Sequence, residues 1–465
     1  MGESMEHVKK PIYVELYEQF KSMIVEGKYE ENQKLPSKRK LSADLKISPI
    51  TVEAAYLQLI AEGYVYSVEK SGYFVSKRVE VVLGAKESKV DIEYDHQEKK
   101  DDYLYEFNTN VVDTSLFPNS TWAKLSREVL SENHHEMLNI THPEGMRELR
   151  VEIARYLELY RGMHVDPSQI IIGSGSSSLI GLIVEILGRK ECYAMENPGY
   201  SKIYHLFKGN DVQLALIGLD DLGIRVNELI ESNASIVHIT PSHQFPTGVV
   251  MPIQRRNELL NWANEKDNRF IIEDDYDSEF RFQGKPIPAL QGLDYNDKVI
   301  YMNTFTKTLA PSFRMGYMVL PRKLLSIYNK IKGYHGCTVP NFEQYIMYKF
   351  MKGGYFERHV NRMKNHYRQK IELIMKIVEK YPKIKLKGYE SGLHFLMEVD
   401  SSTSEEDMVL YAMKNKIKVS GLTSYLQENF GSLNKALVIG YSGIEIEKLE
   451  QAMNLLIQSV LVDLC

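Results

Sequence analysis

Apolar residues recur at helical spacing near the start of the chain, at Ile12, Leu16, Phe20, Met23 and Ile24. This pattern predicts a first amphipathic helix, for which Gly27 is a suitable stop signal. A second, shorter helix is predicted after Ser37, whose hydroxyl can cap the free N–H groups of its first turn. The apolar side of this second helix carries Leu41 and Leu45.

A third helix is predicted after Ser48, with Pro49 at its first position, where the missing N–H costs no hydrogen bond. Gly63 ends this helix, and its buried side comprises Val52, Ala55, Tyr56, Leu59 and Ile60. The next segment has the pattern of two short strands joined by a turn, the hairpin of residues 64–75. Three helices followed by a hairpin predict a winged helix-turn-helix over residues 1–78.

Residues 79–105 mix lysines with a larger number of acidic residues and show neither clear periodicity nor proline. We interpret this segment as a polar linker between two folding units. From residue 106 to residue 465, short apolar runs alternate with helical patterns. That alternation is typical of an α/β sheet covered by helices.

The totals restrict the class of protein. A chain of 465 residues that is 43% hydrophobic and 26% charged has an ordinary globular composition, and its length suggests roughly three domains. Its net charge of -5 excludes a general affinity for nucleic acid, so any DNA contact must come from a local patch. The three cysteines lack paired spacing, and no apolar run approaches the ~20 residues of a membrane span. We therefore expect a cytoplasmic protein without a disulfide framework or a metal site.

A basic patch does occur around the second predicted helix. Residues 34–46 carry five basic side chains against the single acidic Asp44, a local charge of +4. Cations beside helix N-termini suit phosphate groups, and a glycine in the hairpin turn would let the wing approach a DNA backbone. The residues that we predict to contact DNA are Ser37, Lys38, Arg39, Ser48, Thr51 and Gly72.

A candidate site of another kind centres on Lys307, in a loop of hydroxyl and small residues between two β-prone runs. A lone lysine in such a loop is most often a surface residue, so the surrounding motif has to carry any functional interpretation. That motif, Thr-Phe-Thr-Lys-Thr-Leu-Ala-Pro-Ser-Phe-Arg at residues 304–314, resembles the cofactor-lysine signature of fold-type I pyridoxal 5′-phosphate (PLP) proteins.

The resemblance implies that Lys307 forms the Schiff base with the cofactor and that Arg314 pairs with its phosphate. It also implies that Thr304 and Thr306 lie beside the cofactor. The residue types suit these roles. A lysine condenses with an aldehyde only when deprotonated, so its surroundings must lower its pKa from the usual ~10.4. Arginine presents a planar fork of donors to phosphate oxygens.

Further candidates follow the predicted strands of residues 106–465, where open α/β sheets bind ligands. A glycine- and serine-rich turn at residues 173–178 precedes an apolar helix predicted at residues 179–187, and its N–H groups could hold a phosphate. Another predicted strand, residues 270–272, ends in an acidic run at residues 273–275. Beside a PLP lysine, a buried carboxylate there would pair with the protonated pyridine nitrogen and keep the ring an electron sink.

Taken in order, these motifs resemble the MocR/GabR type of regulator (PdxR-like), a GntR-family winged helix-turn-helix fused to a fold-type I aminotransferase-like domain. The N-terminal matches are Leu-Pro-Ser-Lys-Arg at 35–39, Ser-Pro-Ile-Thr-Val at 48–52 and Lys-Ser-Gly-Tyr-Phe-Val at 70–75. Later matches are Met-Glu-Asn-Pro-Gly-Tyr at 195–200 and Thr-Pro-Ser-His-Gln-Phe-Pro-Thr-Gly at 240–248. The implied fold class is α/β, with a large sheet domain and a small C-terminal α+β domain after the winged helix.

Carried over by position, the resemblance makes Asp274 the pyridine partner, Tyr276 a cofactor neighbour and Tyr200 the ring that stacks on the cofactor. The phosphate loop would consist of Ser174, Gly175, Ser176 and Ser177. Relatives form head-to-tail homodimers, and we expect the same here. The implied partners are double-stranded DNA and a small-molecule effector.

Three positions depart from the family pattern. Ser424 stands where related GABA sensors hold the effector's carboxylate with an arginine, and Val438 where aminotransferases commonly place a substrate-carboxylate arginine. Losing such a bidentate partner removes a strong contact. Lys202 could substitute in part; otherwise the domain senses PLP itself.

Pro49 replaces an arginine common in GntR proteins, so base contacts should rest on Arg39, Ser48 and Thr51.

Three functions compete on this basis. The first is a PLP-binding transcription regulator that responds to PLP, with vitamin B6 metabolism under its control, or to an amino acid condensed with PLP. The second is a working aminotransferase with a DNA-binding appendage, which the missing carboxylate arginines disfavour. The third is a DNA-binding protein whose aminotransferase-like half only dimerises, which the intact Lys307, Asp274 and Arg314 disfavour.

Overall fold

The structure is a computed structural model that describes residues 10–77, 102–132, 135–284, 287–428 and 435–461. The chain forms two compact units, residues 1–99 and residues 100–465. Most of the predicted linker, residues 79–101, lies outside the described residues. None of the helices in the described ranges has the length and apolar composition needed to cross a bilayer.

The first unit has the predicted order of three helices and a hairpin. Its elements are α1 (Ile12–Val25), α2 (Lys38–Leu45), α3 (Pro49–Ala61), β1 (Val65–Val68) and β2 (Gly72–Val75). The two strands pair antiparallel. Both predicted caps are present, since the side chains of Ser37 and Ser48 accept the N–H of Lys40 and Thr51. The prediction that Leu45 faces the core is wrong, because it is 46% exposed at the end of α2.

The second unit is built on an eight-stranded sheet with the order β4-β11-β10-β9-β8-β5-β6-β7. The five strands at its centre pair parallel, and β11, β4 and β7 are attached antiparallel. The strands are β4 (Ile170–Gly173), β5 (Cys192–Asn197), β6 (Gln213–Asp220), β7 (Gly223–Ile224), β8 (Ile236–Ile239), β9 (Phe270–Asp274), β10 (Val299–Thr304) and β11 (Gly316–Val319). Most of them are buried along their whole length, as expected for a sheet covered by helices on both faces.

The helices of this large sheet domain follow the strands or precede the sheet. They are α4 (Asn119–Ser131), α5 (Arg147–Arg161), α6 (Ser176–Leu187), α7 (Ser201–Gly209), α8 (Val226–Glu231), α9 (Ile253–Asn264), α10 (Arg322–Ile331), α11 (Asn341–Lys352) and α12 (Tyr355–Val378). Helix α6 starts at Ser176, three residues before the predicted start. The serines at this point therefore form the first turn of the helix instead of a separate loop.

A smaller sheet with the order β12-β13-β16-β15 forms the C-terminal part of the same unit. Its strands are β12 (Ile384–Lys387), β13 (His394–Val399), β15 (Ser420–Gly421) and β16 (Ala436–Gly440), and its helices are α13 (Glu405–Lys414) and α14 (Ile446–Val460). A separate pair joins β3 (Tyr105–Glu106) and β14 (Ile417–Lys418) in parallel. Tyr105, the last residue of the predicted linker, thus belongs to a strand. The α/β fold class inferred from the alternating pattern is confirmed.

Candidate cofactor cavity and DNA-binding surface

A cavity of ≈ 230 Å³ lies in the second unit, next to the carboxyl ends of β5, β8, β9 and β10. Most of the residues that the sequence singled out for the cofactor line this one cavity: Gly175, Ser176, Tyr200, Asp274, Tyr276, Thr304, Thr306, Lys307 and Arg314. Ser174 and Ser177, the other two predicted members of the phosphate loop, are not part of the lining. The cavity therefore lies where open α/β sheets bind ligands.

Lys307 lies in the turn after β10 and is only 8% exposed. Its Nζ donates a hydrogen bond to the main-chain carbonyl of Thr109. Burial lowers the pKa of Lys307 to about 8, although the nearby Asp277 carboxylate acts in the opposite direction. A buried lysine with this pKa is partly deprotonated at neutral pH, the state that attacks a carbonyl carbon.

One end of the cavity has the character of an anion site. Helix α6 begins here with Gly175 as its N-cap residue. Glycine has no side chain to accept the N–H groups of the first turn, so among the described residues these N–H groups have no side-chain cap. Arg314 lies against the same turn, and its Nη2 donates to the carbonyl of Ser174 over 3.1 Å. A Cβ on Gly175 would lie 3.6 Å from the Arg314 guanidinium carbon. The space beside Gly175, which we call the phosphate cradle, is lined by N–H donors and a guanidinium, and a methyl group on Gly175 would occupy it. Such a space fits a phosphate.

The deep end of the cavity is acidic. Asp274 ends β9 and is buried, with its Oδ2 3.4 Å from Nε2 of His238. Glu196 lines the same region from β5, and its Oε2 accepts hydrogen bonds from the N–H and hydroxyl of Thr240. Burial raises the pKa of Glu196. A buried carboxylate at Asp274, supported by an imidazole, can pair with a protonated ring nitrogen.

Glu196 and His238 were not among the residues predicted from the sequence. Each lies near the carboxyl end of a strand, the kind of position at which Asp274 was predicted.

Two tyrosines that were predicted to lie near the cofactor, Tyr200 and Tyr276, also line the cavity. The Tyr200 ring meets the Phe245 ring edge to face, with centroids 5.3 Å apart. The Tyr276 hydroxyl donates to the main-chain carbonyl of His243 over 3.0 Å. Burial raises the pKa of Tyr276 well above its ordinary value, so its hydroxyl stays protonated.

Ser424 and Val438, the two positions of this domain where the family pattern predicts an arginine, do not line the cavity. Val438 is fully buried on β16 and packs with Leu396, Leu422 and Tyr425. The Ser424 hydroxyl donates to the carbonyl of Gly421 over 2.7 Å. The lysine and arginine side chains among the described lining residues are Lys202, Lys307 and Arg314.

The predicted DNA-binding residues lie on α2, on α3 and at the hairpin turn of the first unit. Arg39 is exposed, whereas Lys38 is held by an ion pair with Glu53 of α3, which raises the pKa of Lys38. The Thr51 hydroxyl lies 3.1 Å from that of Ser48. Gly72 has a φ of +121°, a conformation that favours glycine. Ser37 and Lys38 already have partners within the unit. Of the two neighbouring cations, Arg39 is therefore more available for DNA than Lys38.

Comparison with known proteins gives two family matches along the chain. Residues 12–75 match the bacterial regulatory proteins of the gntR family, and residues 105–434 match aminotransferase class I and II. The uncharacterized HTH-type transcriptional regulator YdeL of Bacillus subtilis is 37% identical over 93% of each chain. The chain belongs to the MocR type of GntR regulators. It is a DNA-binding transcriptional regulator with an aminotransferase-like PLP domain.

Other comparisons agree with this MocR-type architecture. The HTH-type pyridoxine biosynthesis transcriptional regulator PdxR of Corynebacterium glutamicum is 28% identical over 90% of each chain. The crystal structure of a multiple substrate aminotransferase from Thermococcus profundus superposes with a TM-score of 0.69 at 25% identity, over 78% of this chain and 92% of that one. PLP is the cofactor of the aminotransferase-like domain, as the sequence predicted. The donors of the cavity fit its phosphate, and the Asp274 carboxylate fits its protonated ring nitrogen.

Proposed function

We propose that this MocR-type regulator responds to PLP itself and that vitamin B6 metabolism is among the functions it controls. The observation that carries the proposal is a contrast within one domain. The cavity holds a buried lysine, a buried carboxylate and a phosphate cradle, whereas the buried, apolar Val438 stands where the family pattern places an arginine for a substrate carboxylate. A desolvated carboxylate without a cationic partner costs several kcal/mol, so an amino acid would be held poorly there.

In this proposal PLP supplies an aldehyde that condenses with an amine, and the side chains of the cavity bind and orient it. Lys307 is the amine, and its lowered pKa provides the neutral form. Asp274 would accept a hydrogen bond from the protonated ring nitrogen, and Tyr200 would stack on the ring. Arg314 and the turn at Gly175 and Ser176 would bind the phosphate, with Tyr276, Thr304 and Thr306 as further neighbours.

The name of one relative supports the same effector. The regulator PdxR, similar over 90% of this chain, carries pyridoxine biosynthesis in its name. A regulator of B6 synthesis that measures PLP would close a feedback loop on its own cofactor.

The DNA-binding part of the proposal rests on the exposed patch of the first unit. Arg39 and the N-terminus of α3, residues 48–51, would hold phosphates and base edges, with Gly72 letting the wing approach the backbone. A head-to-tail homodimer would carry two such units. It would therefore require two half-sites for full affinity.

A second candidate function is a regulator that responds to an amino acid or amine condensed with PLP. It is favoured by Lys202, a cation that lines the cavity and could hold a carboxylate. An operator-binding titration decides between the two. Cofactor-free protein and labelled operator are titrated with PLP alone, then with PLP plus each member of an amino-acid panel. If PLP leaves DNA binding unchanged and one amino acid shifts it, the PLP-sensor proposal is wrong and the second candidate stands.

A further inference from the structure

Lys202 is a third cation in the cavity, and neither the lysine that condenses nor the phosphate arginine explains it. It occupies the second position of α7, whose N-terminus borders the cavity, and it is partly buried. Gly175, Ser176 and Arg314 line the same cavity. The first residues of two helices, α6 and α7, thus line the cavity together with the cations Lys202 and Arg314.

Within the described residues no carboxylate pairs with Lys202, and the only charged group that perturbs its pKa is the cation Arg314. Lys208, near the other end of the same helix, has both an ion pair with Glu428 and a contact with the Tyr204 ring. Arg314 likewise has a carbonyl and no carboxylate as its partner in the described chain. Burial and the charge of Arg314 lower the pKa of Lys202, which places the two cations within electrostatic reach of each other.

Two uncompensated cations that line one cavity repel each other, and an anion that binds between them removes this repulsion. The charge of that anion can be inferred. A phosphate monoester carries about -1.5 to -2 at pH 7, more than one arginine balances, whereas a carboxylate carries a single charge. The presence of Arg314 and the α6 N-terminus in the same cavity also favours the phosphate over an effector carboxylate.

We propose that Lys202 and Arg314 together hold the phosphate of PLP, so that the cavity selects the phosphorylated aldehyde over unphosphorylated pyridoxal. This inference rests on the proposed function and names its specificity determinant. A sensor of PLP needs such selectivity, because the two aldehydes share the same ring and the same reactive carbon.

The test is a spectroscopic titration of the cofactor-free protein with PLP and, separately, with pyridoxal. Lys202→Met should weaken PLP binding about tenfold, the loss of one charge-assisted contact, and change pyridoxal binding less than about twofold. Lys202→Arg keeps the charge and should retain the wild-type preference. Lys208→Met, on the same helix but away from the cavity lining, is the matched control and should bind both aldehydes like the wild type.

Three results would overturn the inference. They are an unchanged preference for PLP in Lys202→Met, an equal loss for both aldehydes, or a change confined to the response to amino acids. The proposed function fails separately, when PLP leaves the operator affinity of the wild-type protein unchanged. Selective PLP binding in the wild type, lost in Lys202→Met, would uphold the inference even in that case.

Discussion

The Lys307 ammonium donates a hydrogen bond to the main-chain carbonyl of Thr109, with 2.5 Å between Nζ and the oxygen. Thr109 lies 198 positions earlier in the chain, in the segment that leads into the large domain. A carbonyl accepts a hydrogen bond without adding a full charge, so it orients the lysine while burial still lowers its pKa. The pair keeps the side chain in the cavity and leaves its proton easy to remove.

Replacement of Lys307 by alanine should abolish the covalent attachment of PLP while leaving the fold largely intact. The side chain is the only lysine of the described cavity lining that also lies in the cofactor-lysine motif. Borohydride reduction followed by mass measurement should find PLP attached to the wild type and not to the variant. The same adduct on Lys307→Ala would contradict the assignment.

The attachment should depend on pH in a specific window. Because the pKa of Lys307 is lowered to about 8, the reactive neutral form grows between about pH 7 and about pH 9 and then levels off. An unperturbed lysine would still gain reactivity at ~10.4. The rate of covalent attachment, followed by stopped-flow absorbance across this range, should give an apparent pKa near 8. A rate that keeps rising to pH 10 would show that burial does not lower the pKa.

Substitution at Gly175 should damage the phosphate cradle. Gly175→Ala places a methyl group 3.6 Å from the Arg314 guanidinium carbon at a φ of +92°, where a side chain costs about 1–2 kcal/mol. We expect PLP affinity to fall about tenfold or more, and the free energy of unfolding to fall by that strain.

Gly181→Ala is the matched control, since this glycine lies within α6 and its Cβ would meet nothing within 4 Å. Helix propensity predicts a gain of ~0.5–1 kcal/mol in its free energy of unfolding, with PLP affinity unchanged. If Gly175→Ala and Gly181→Ala bind PLP with equal affinity in a titration, the cradle at Gly175 is not part of the phosphate site.

Arg39→Ala should weaken operator binding about tenfold and reduce the slope of log affinity against log salt by about one. Arg39 is exposed on α2, where a phosphate contact would be lost without disturbing the core. Lys28→Ala removes an exposed cation outside the basic patch and serves as the control. The readout is fluorescence anisotropy with operators of one and two half-sites. The wild-type protein should lose its affinity when the operator has a single half-site. Full affinity of Arg39→Ala would refute the placement.

The winged helix could be predicted almost entirely from the sequence because its signals are local. Ser48 followed by Pro49 defines a helix start through one side chain and one missing donor, and the structure has the cap and the helix as expected. The exposure of Leu45 could not be predicted in the same way. Burial at the last residue of a short helix depends on which neighbours cover it, and spacing alone does not contain that information.

The cavity could be predicted only in part. The motif around Lys307 and the acidic end of β9 identified residues from separate strands, because strand ends converge in an α/β sheet. The pairing of His238 with Asp274 depends on the order of two neighbouring strands, which the sequence did not supply. The early start of α6 was missed for a related reason. Serines suit either a loop or a first helical turn, and the fold around Gly175 selects the turn.

The most direct test of the central claim is the affinity of the wild-type protein for a two-half-site operator, with and without PLP and in the absence of amino acids. Salt concentration is held constant, because phosphate contacts make DNA affinity strongly salt-dependent. The account predicts that PLP changes the dissociation constant about fivefold or more, the usual lower bound of an allosteric coupling. An unchanged dissociation constant, in a sample whose spectrum shows full PLP occupancy, would contradict it.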